Sequence, residues 1–292
     1  MTRIAFLGLG DIGAPMAGHL AAAFELTVWN RTPARATAFV SAHRAQAAPT
    51  AAEAVRGAAV VASCLSTSSD VEAVVGAAAS GLAADTIWVD FTSGDPATSQ
   101  RIAARLAELG VPFLDAPVSG GTAGAQQGTL TIMLGGDPIV IERVRPVLNA
   151  VGKKIVHCGP IGAGDAVKAV NNALLAVNLW SAGEGLAALK KAGVSSAVAL
   201  DVINASSGRS NATMTLIPER VASRAFPRTF RLALLDKDVG IAAQVARDQK
   251  VPSPLLQLTA ELMRLAHVTL GEVADHAEAV KVIETWAGVE IS

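Results

Sequence analysis

Three segments of this chain carry residues whose types and spacing can do chemistry. Gly8-Leu9-Gly10-Asp11-Ile12-Gly13 spaces its glycines as G-x-G-x-x-G. In that pattern the first glycine permits a tight turn, the second lets backbone approach a pyrophosphate, and the third lets helix and strand pack closely. Ser119-Gly120-Gly121, which ends the run Asp115-Ala116-Pro117-Val118, exposes successive backbone N–H groups that can hold a carboxylate. An ordinary glycine-rich turn is the alternative. Lys168 follows Gly162-Ala163-Gly164, with Asn171 and Asn172 three and four residues further on. On a helix all three share a face. A lysine there is by itself most often solvated. Flanking alanines and valines point instead to partial burial, where a lysine can trade a proton near neutral pH. Asn172 would hold a substrate or position the ammonium.

The elements that must position these groups follow from the hydrophobic pattern. Segments 3–7, 26–29, 60–65, 86–90, 112–116, 130–134 and 154–157 read as strands. Segment 12–24 reads as a helix, and Thr32-Pro33 as the cap and first turn of another. This alternation implies an α/β fold, with a mostly parallel, doubly wound sheet of Rossmann type. Ligands of such sheets bind at the carboxyl ends of the strands. The loops after Leu7, Trp29, Leu65, Asp90 and Ala116 are therefore the candidate site. After about residue 160 the strands stop, and 163–192, 194–206, 214–223, 232–249, 253–270 and 274–286 read as helices. Two domains follow: 1–161, which binds a dinucleotide, and 162–292, which is all-α and opens on one long helix.

The second strand ends at Asn30-Arg31-Thr32, where an adenosine ribose should lie. No carboxylate is there to take a ribose 2′-hydroxyl. Arg31 offers a planar cation suited to a 2′-phosphate. The expected cofactor is NADP, with NAD possible. For Arg31 a solvated turn residue is the alternative.

Composition limits the rest. Of 292 residues, 51% are hydrophobic and 17% charged, enough apolar material for a large buried core. A net charge of −1 gives no field to gather nucleic acid. No apolar run reaches the ~18 residues of a membrane span, and Gly8, Gly10 and Asp11 break the N-terminal run too early for a signal peptide. A soluble, cytoplasmic protein with neither nucleic-acid nor membrane partners is expected. Cys64 and Cys158 read as buried free thiols. The five histidines (His19, His43, His157, His267 and His276) lack metal-ligand spacing, so no metal is expected.

Taken in order, Gly8-x-Gly10-x-x-Gly13-x-x-Met16, Asp115-Ala116-Pro117-Val118-Ser119-Gly120-Gly121, Gly162-x-Gly164-x-x-x-Lys168-x-x-Asn171-Asn172 and Lys237-Asp238 resemble the β-hydroxyacid dehydrogenases, above all the bacterial 3-hydroxyisobutyrate subgroup. Ser206-Ser207-Gly208-Arg209-Ser210 also looks like that subgroup, and the resemblance spans essentially the whole chain. It implies that Lys168 is the general acid/base and that Ser119, Gly120 and Gly121 hold the substrate's carboxylate and hydroxyl. It implies that Asn172 assists them, and that Lys237 closes over the nicotinamide end with Asp238 and Phe230 on the substrate side. Leu65, Ser66 and Ser93 would line the cofactor, together with Gly8, Leu9, Gly10, Asp11, Ile12, Gly13, Asn30, Arg31 and Thr32. The chain departs from the family's usual pattern at Ser66, often Pro, at Asp70, often Asn, and at Asn30-Arg31, often acidic.

The substrate implied by the resemblance is a small carboxylated hydroxy acid or its semialdehyde, 3-hydroxyisobutyrate first, as in valine degradation. The implied assembly is a homodimer or homotetramer. Reduction of glyoxylate, succinic semialdehyde or tartronate semialdehyde would keep the same motifs. Imine reduction fits less well, because relatives with that chemistry generally lack the lysine found here at position 168. A non-catalytic dinucleotide-binding module would have no use for Lys168 and Asn172.

Overall fold

The computed structural model describes residues 2–292, and the chain divides into two compact units, Met1–Lys168 and Ala169–Ser292. In the first unit strands and helices alternate: β1 (Arg3–Leu7), α1 (Gly13–Ala23), β2 (Glu25–Trp29), α2 (Pro33–Ala42), β3 (Gln46–Ala47), α3 (Ala51–Val55), β4 (Val60–Ser63), α4 (Ser68–Ala78), β5 (Ile87–Asp90), α5 (Pro96–Ala107), β6 (Phe113–Asp115), β7 (Val118–Ser119), α6 (Gly121–Gln127), β8 (Leu130–Gly135), α7 (Pro138–Arg143), α8 (Arg145–Val151) and β9 (Gly152–Gly159). The next helix, α9 (Ala163–Lys191), starts in this unit and continues into the second.

Strands β3, β2, β1, β4, β5 and β6 lie side by side in parallel. Pro117 has no N–H to give to a ladder. There the chain breaks into β6 and β7, both antiparallel to β8. Strand β9 then pairs parallel to β8. The sheet is thus parallel over six strands and reverses at β8. The two-residue strands β3 and β7 escape a periodicity reading, which placed 118–119 in a loop.

Successive side chains of a strand point to opposite faces, and β1 shows both faces covered. Ile4 and Phe6 pack with Met16 and Leu20 of α1 on one side; Ala5 and Leu7 pack with Val71 of α4 and Ile102 and Leu106 of α5 on the other. Burying each of these larger side chains contributes about 1.5–3 kcal/mol. Trp88 is also fully buried, and its indole N–H donates to Ser63 Oγ at 2.9 Å. Thr32 stands before α2 with Pro33 next, as expected, but its side chain makes no capping bond. The turn is tied instead by Asn30, whose Nδ2 donates to Thr32 O at 3.0 Å. Cys64 and Cys158 are free, and both residues are partly exposed, although the Cys64 thiol itself is enclosed.

The second unit continues with α10 (Ser196–Asn204), a π-helical segment Ala212–Ala222, α11 (Leu232–Asp248), α12 (Pro254–Leu270), a 3₁₀ turn His276–Ala279 and α13 (Val280–Ala287). Ala169, Ala173, Ala176 and Trp180 recur at helical spacing along α9 and form its buried stripe. Two helices differ from expectation. Pro218 lies inside the segment that reads as an α-helix over 214–223. A proline lacks the N–H and crowds the carbonyl four residues back, and the wider π turn relieves that crowding. The helix expected over 274–286 opens instead as a 3₁₀ turn, started by the capping box of Asp275 with Glu278, and becomes α-helical at Val280. No helix among the described residues is long and apolar enough to cross a membrane.

Candidate active site

The glycine loop between β1 and α1 divides its three glycines by task. Gly8 has φ +105°, and a Cβ there would lie 2.3 Å from Cys64 O. At Gly13 a Cβ would lie 2.2 Å from Gly8 O, so this glycine lets the loop close on itself. Around Gly10 nothing lies within 4 Å of a Cβ position. Its bare backbone in the loop leading into α1 fits a dinucleotide pyrophosphate. Arg35, which the sequence reading missed, donates from Nη1 to Leu9 O at 3.3 Å and lines an open cleft with Gly10 and Asp11. The signal in the sequence is a second arginine four positions after Arg31, near the start of α2.

At the end of β2, Asn30 Oδ1 accepts the Leu9 N–H at 2.9 Å, so its carboxamide ties the glycine loop to the turn. Arg31 is 83% exposed and donates from Nη1 to Asp70 Oδ1 at 3.0 Å. Thr67 Oγ1 donates to the other oxygen of Asp70 at 2.8 Å. The arginine therefore meets the carboxylate that departs from the family's pattern.

The loops after β4 and β5 are knitted together. Leu65 N–H donates to Thr92 Oγ1 at 2.9 Å. Asp90 Oδ1 accepts from Ser63 Oγ at 2.8 Å and from Thr92 N–H at 3.2 Å. Burial raises the Asp90 carboxyl to about 6, against the stabilising pull of those hydrogen bonds. Burial, with the Asp90 charge beside it, pushes the Cys64 thiol up to about 12, which keeps it protonated and unreactive. Ser66 is exposed and Ser93 partly buried.

Ser119 ends β7 opposite Thr131. Gly120 and Gly121 follow with φ +135° and +62°, backbone states that favour glycine, and lead into α6. Lys168 is partly buried near the start of α9.

In the second unit Asn172 is buried, and its Nδ2 donates to Asp238 Oδ2 at 2.6 Å. Lys237 Nζ lies 2.9 Å from Asp238 Oδ1. Asn171 Nδ2 donates to Asn172 Oδ1 at 3.1 Å. The residues Asn172, Lys237 and Asp238 thus form one cluster. Phe230 belongs to another: its N–H donates to Asp275 Oδ2 at 3.0 Å, and its ring lies 5.4 Å from that of His276. The other expected site residues, from Gly8 to Lys168, belong to the first unit. Among the described residues no group of three or more His, Cys, Asp or Glu is placed to hold a metal ion.

Residues 3–159 match the family model for the NAD binding domain of 6-phosphogluconate dehydrogenase. Residues 162–283 match the one described as NAD-binding of NADP-dependent 3-hydroxyisobutyrate dehydrogenase. The chain is 36% identical to 2-(hydroxymethyl)glutarate dehydrogenase of Eubacterium barkeri, over 99% of this chain and 97% of that one. It is 38% identical to the NAD-dependent L-serine dehydrogenase of Pseudomonas aeruginosa, over 91% and 92%. The solved structure of Mycobacterium tuberculosis 3-hydroxyisobutyrate dehydrogenase with L-serine matches with a TM-score of 0.90 and 32% identity, covering 97% and 99% of the two chains. With both units matched by domain models and its length aligned to dehydrogenases of small hydroxy acids, this chain belongs to the β-hydroxyacid dehydrogenase family.

Proposed function

We propose that this dehydrogenase interconverts a short β-hydroxy acid and its semialdehyde with NADP, 3-hydroxyisobutyrate first among substrates, and that Lys168 is its general acid/base. The observation that carries the reading is the step of one helical turn from Lys168 to Asn172 on α9, with the Asn172 carboxamide buried and fixed by Asp238. Lys168 Nζ takes the hydroxyl proton during oxidation and returns it to the carbonyl oxygen during reduction. Asn172 orients the lysine and the reacting oxygen. Ser119, Gly120 and Gly121 hold the carboxylate, and Phe230 and Asp238 shape the substrate side. Gly8, Leu9, Gly10, Asp11, Ile12 and Gly13 would hold the pyrophosphate, with Asn30, Arg31 and Thr32 at the 2′-phosphate end and Leu65, Ser66, Ser93 and Lys237 completing the cofactor's contacts. The nicotinamide, when bound, supplies or accepts the hydride. A cytoplasmic homodimer or homotetramer is part of the reading.

The relatives narrow the substrate. The names of two concern 2-(hydroxymethyl)glutarate and L-serine, and a solved relative holds L-serine. These compounds and 3-hydroxyisobutyrate share a hydroxymethyl group on the carbon that bears the carboxylate. Their names support the class HOCH₂–CHR–COO⁻, with R left open. Tartronate semialdehyde, whose reduction gives the member with R = OH, falls within this class, and glyoxylate and succinic semialdehyde are the alternatives outside it.

A spectrophotometric panel tests this. Hydroxymethyl carboxylates, the semialdehydes and glyoxylate are assayed with NADP(H) and NAD(H), for wild type and Lys168→Ala. Turnover of a hydroxymethyl carboxylate with NADP is expected, and Lys168→Ala should lower kcat by roughly 10²–10⁴-fold while NADPH still binds. Near-normal kcat in that variant would remove Lys168 from its role.

A further inference from the structure

We propose that Asp165 and Asp115 are positioning residues for proton transfer at Lys168, fastening the first turn of α9 to β6 and to the loop that carries Ser93. The inference rests on Lys168 being the acid/base.

A helix start leaves four backbone N–H groups without partners inside the helix. Side chains just before a helix usually take them, but Gly162, next to α9, has none to offer. The carboxylate comes instead from Asp115, at the end of β6. Its Oδ1 accepts the Gly162 N–H at 2.7 Å and its Oδ2 the Asp165 N–H at 3.0 Å. Two glycines make room for it. A Cβ on Gly135 would lie 2.2 Å from Asp115 Oδ1, and one on Gly164 would lie 2.3 Å from Met133 O of β8 and 2.8 Å from Asp115 Oδ2. This accounts physically for the second glycine of Gly162-x-Gly164.

Asp165 makes the other attachment. Its Oδ1 accepts the Gly94 N–H at 3.0 Å, and its Oδ2 lies 2.6 Å from Ser99 Oγ. Gly94 follows Ser93, in the loop between β5 and α5, so one buried side chain joins that loop to the helical turn just before Lys168.

The partners also distribute charge between the two acids. Burial raises both carboxyls above the usual carboxylate range, and the charge of Asp115 raises Asp165 further. Both oxygens of Asp115 face N–H donors, so Asp115 carries the negative charge. Asp165 faces one N–H and one hydroxyl, and a hydroxyl can accept. Ser99 Oγ donates to Asp165 Oδ2, and its hydroxyl can turn to accept from an amide placed there.

This asymmetry gives the test. Full-length Asp165→Asn, Asp165→Ala and Asp115→Asn are compared for kcat and KM on the hydroxy acid, for melting temperature and for NADPH binding by fluorescence. Asp165→Ala should lose kcat on the order of 10²-fold, with KM and NADPH affinity within about threefold of wild type. Asp165→Asn should recover most of that loss, because its oxygen still accepts from Gly94 and its NH₂ can donate to Ser99 Oγ once the hydroxyl turns. Asp115→Asn should melt lower than Asp165→Asn, because its NH₂ must face a backbone N–H. Wild-type kcat in Asp165→Ala, or no recovery in Asp165→Asn, overturns the proposal. If Asp165→Ala does not fold, Ser99→Ala decides: a lowered kcat at constant KM supports positioning, and an unchanged kcat refutes it. If wild type turns over nothing in the panel, the reading of Lys168 fails, and the melting order of the two Asn variants still decides the fastening geometry.

Discussion

Asn172 donates to Asp238 at 2.6 Å, and the same carboxylate lies 2.9 Å from Lys237 Nζ. One buried acid on α11 thus fixes a carboxamide on α9 and a neighbouring ammonium on its own helix. Its two oxygens are engaged with Asn172 and Lys237. Asp238→Asn should retain the fold but disturb the Asn172 carboxamide, because an NH₂ would then face one of two donors. A fall in kcat on the order of 10²-fold is expected from misplacement. Asp238→Ala leaves buried polar groups without this partner and should also cost about 1–3 kcal/mol of stability. Steady-state kinetics with thermal melts checks both, and an unchanged kcat in Asp238→Asn would show that Asn172 does not depend on it.

The parts of the fold and candidate site legible in the sequence are those whose physics is local. Gly8 is demanded by its φ, and Gly13 by its close approach to Gly8 five residues earlier. The step from Lys168 to Asn172 follows from helical periodicity. The alternating apolar runs of β1, β2, β4, β5 and β6 announce a parallel sheet. What stayed hidden depends on distant contacts. Asp115 meets Gly162 and Asp165 about fifty residues away, and Arg31 meets Asp70 across 39 positions. No local pattern marks such a pair, and a two-residue strand such as β7 is too short to show a period.

The pairing of Arg31 with Asp70 predicts how cofactor selectivity responds to mutation. Arg31 is largely exposed, so the pair itself contributes only about 0–1 kcal/mol. A charge-assisted bond from Arg31 to a 2′-phosphate is worth more, about 1.5–3 kcal/mol. Arg31→Ala should raise KM for NADPH roughly 10–100-fold and leave KM for NADH nearly unchanged. Asp70→Asn removes a carboxylate that repels the phosphate and should lower KM for NADPH several-fold, most clearly at low salt. An equal response of both cofactors to Arg31→Ala would exclude the 2′-phosphate role.

Asp90 predicts a pH dependence of stability. Its carboxyl titrates at about 6 in the folded chain, against an ordinary value of 3.8. The folded state therefore keeps a proton that the unfolded chain has released. Stability from this group is full below about pH 4, falls as pH rises to about 6, and is level above. The loss amounts to about 3 kcal/mol. Asp115 and Asp165 are raised in the same direction and add to the slope. Asp90→Asn can still accept from Ser63 and Thr92 through Oδ1, so it should flatten the curve. Denaturant melts of wild type and Asp90→Asn between pH 4 and 7 measure the difference, and parallel curves would contradict the assignment.

Gly8 and Gly10 should separate folding from cofactor binding. Alanine at Gly8 places its Cβ against a backbone carbonyl at a φ that L residues rarely adopt. Strain and overpacking together should cost about 2–6 kcal/mol. Gly10 has no positive φ and open space where a Cβ would go. Gly10→Ala should therefore melt like wild type, yet its methyl group would occupy the space through which backbone approaches the pyrophosphate. NADPH binding should weaken at least about tenfold, or about 1.4 kcal/mol. Calorimetric titration together with a thermal melt reads both quantities on one sample. A Gly10→Ala variant that binds NADPH as tightly as wild type would mean that the dinucleotide lies elsewhere.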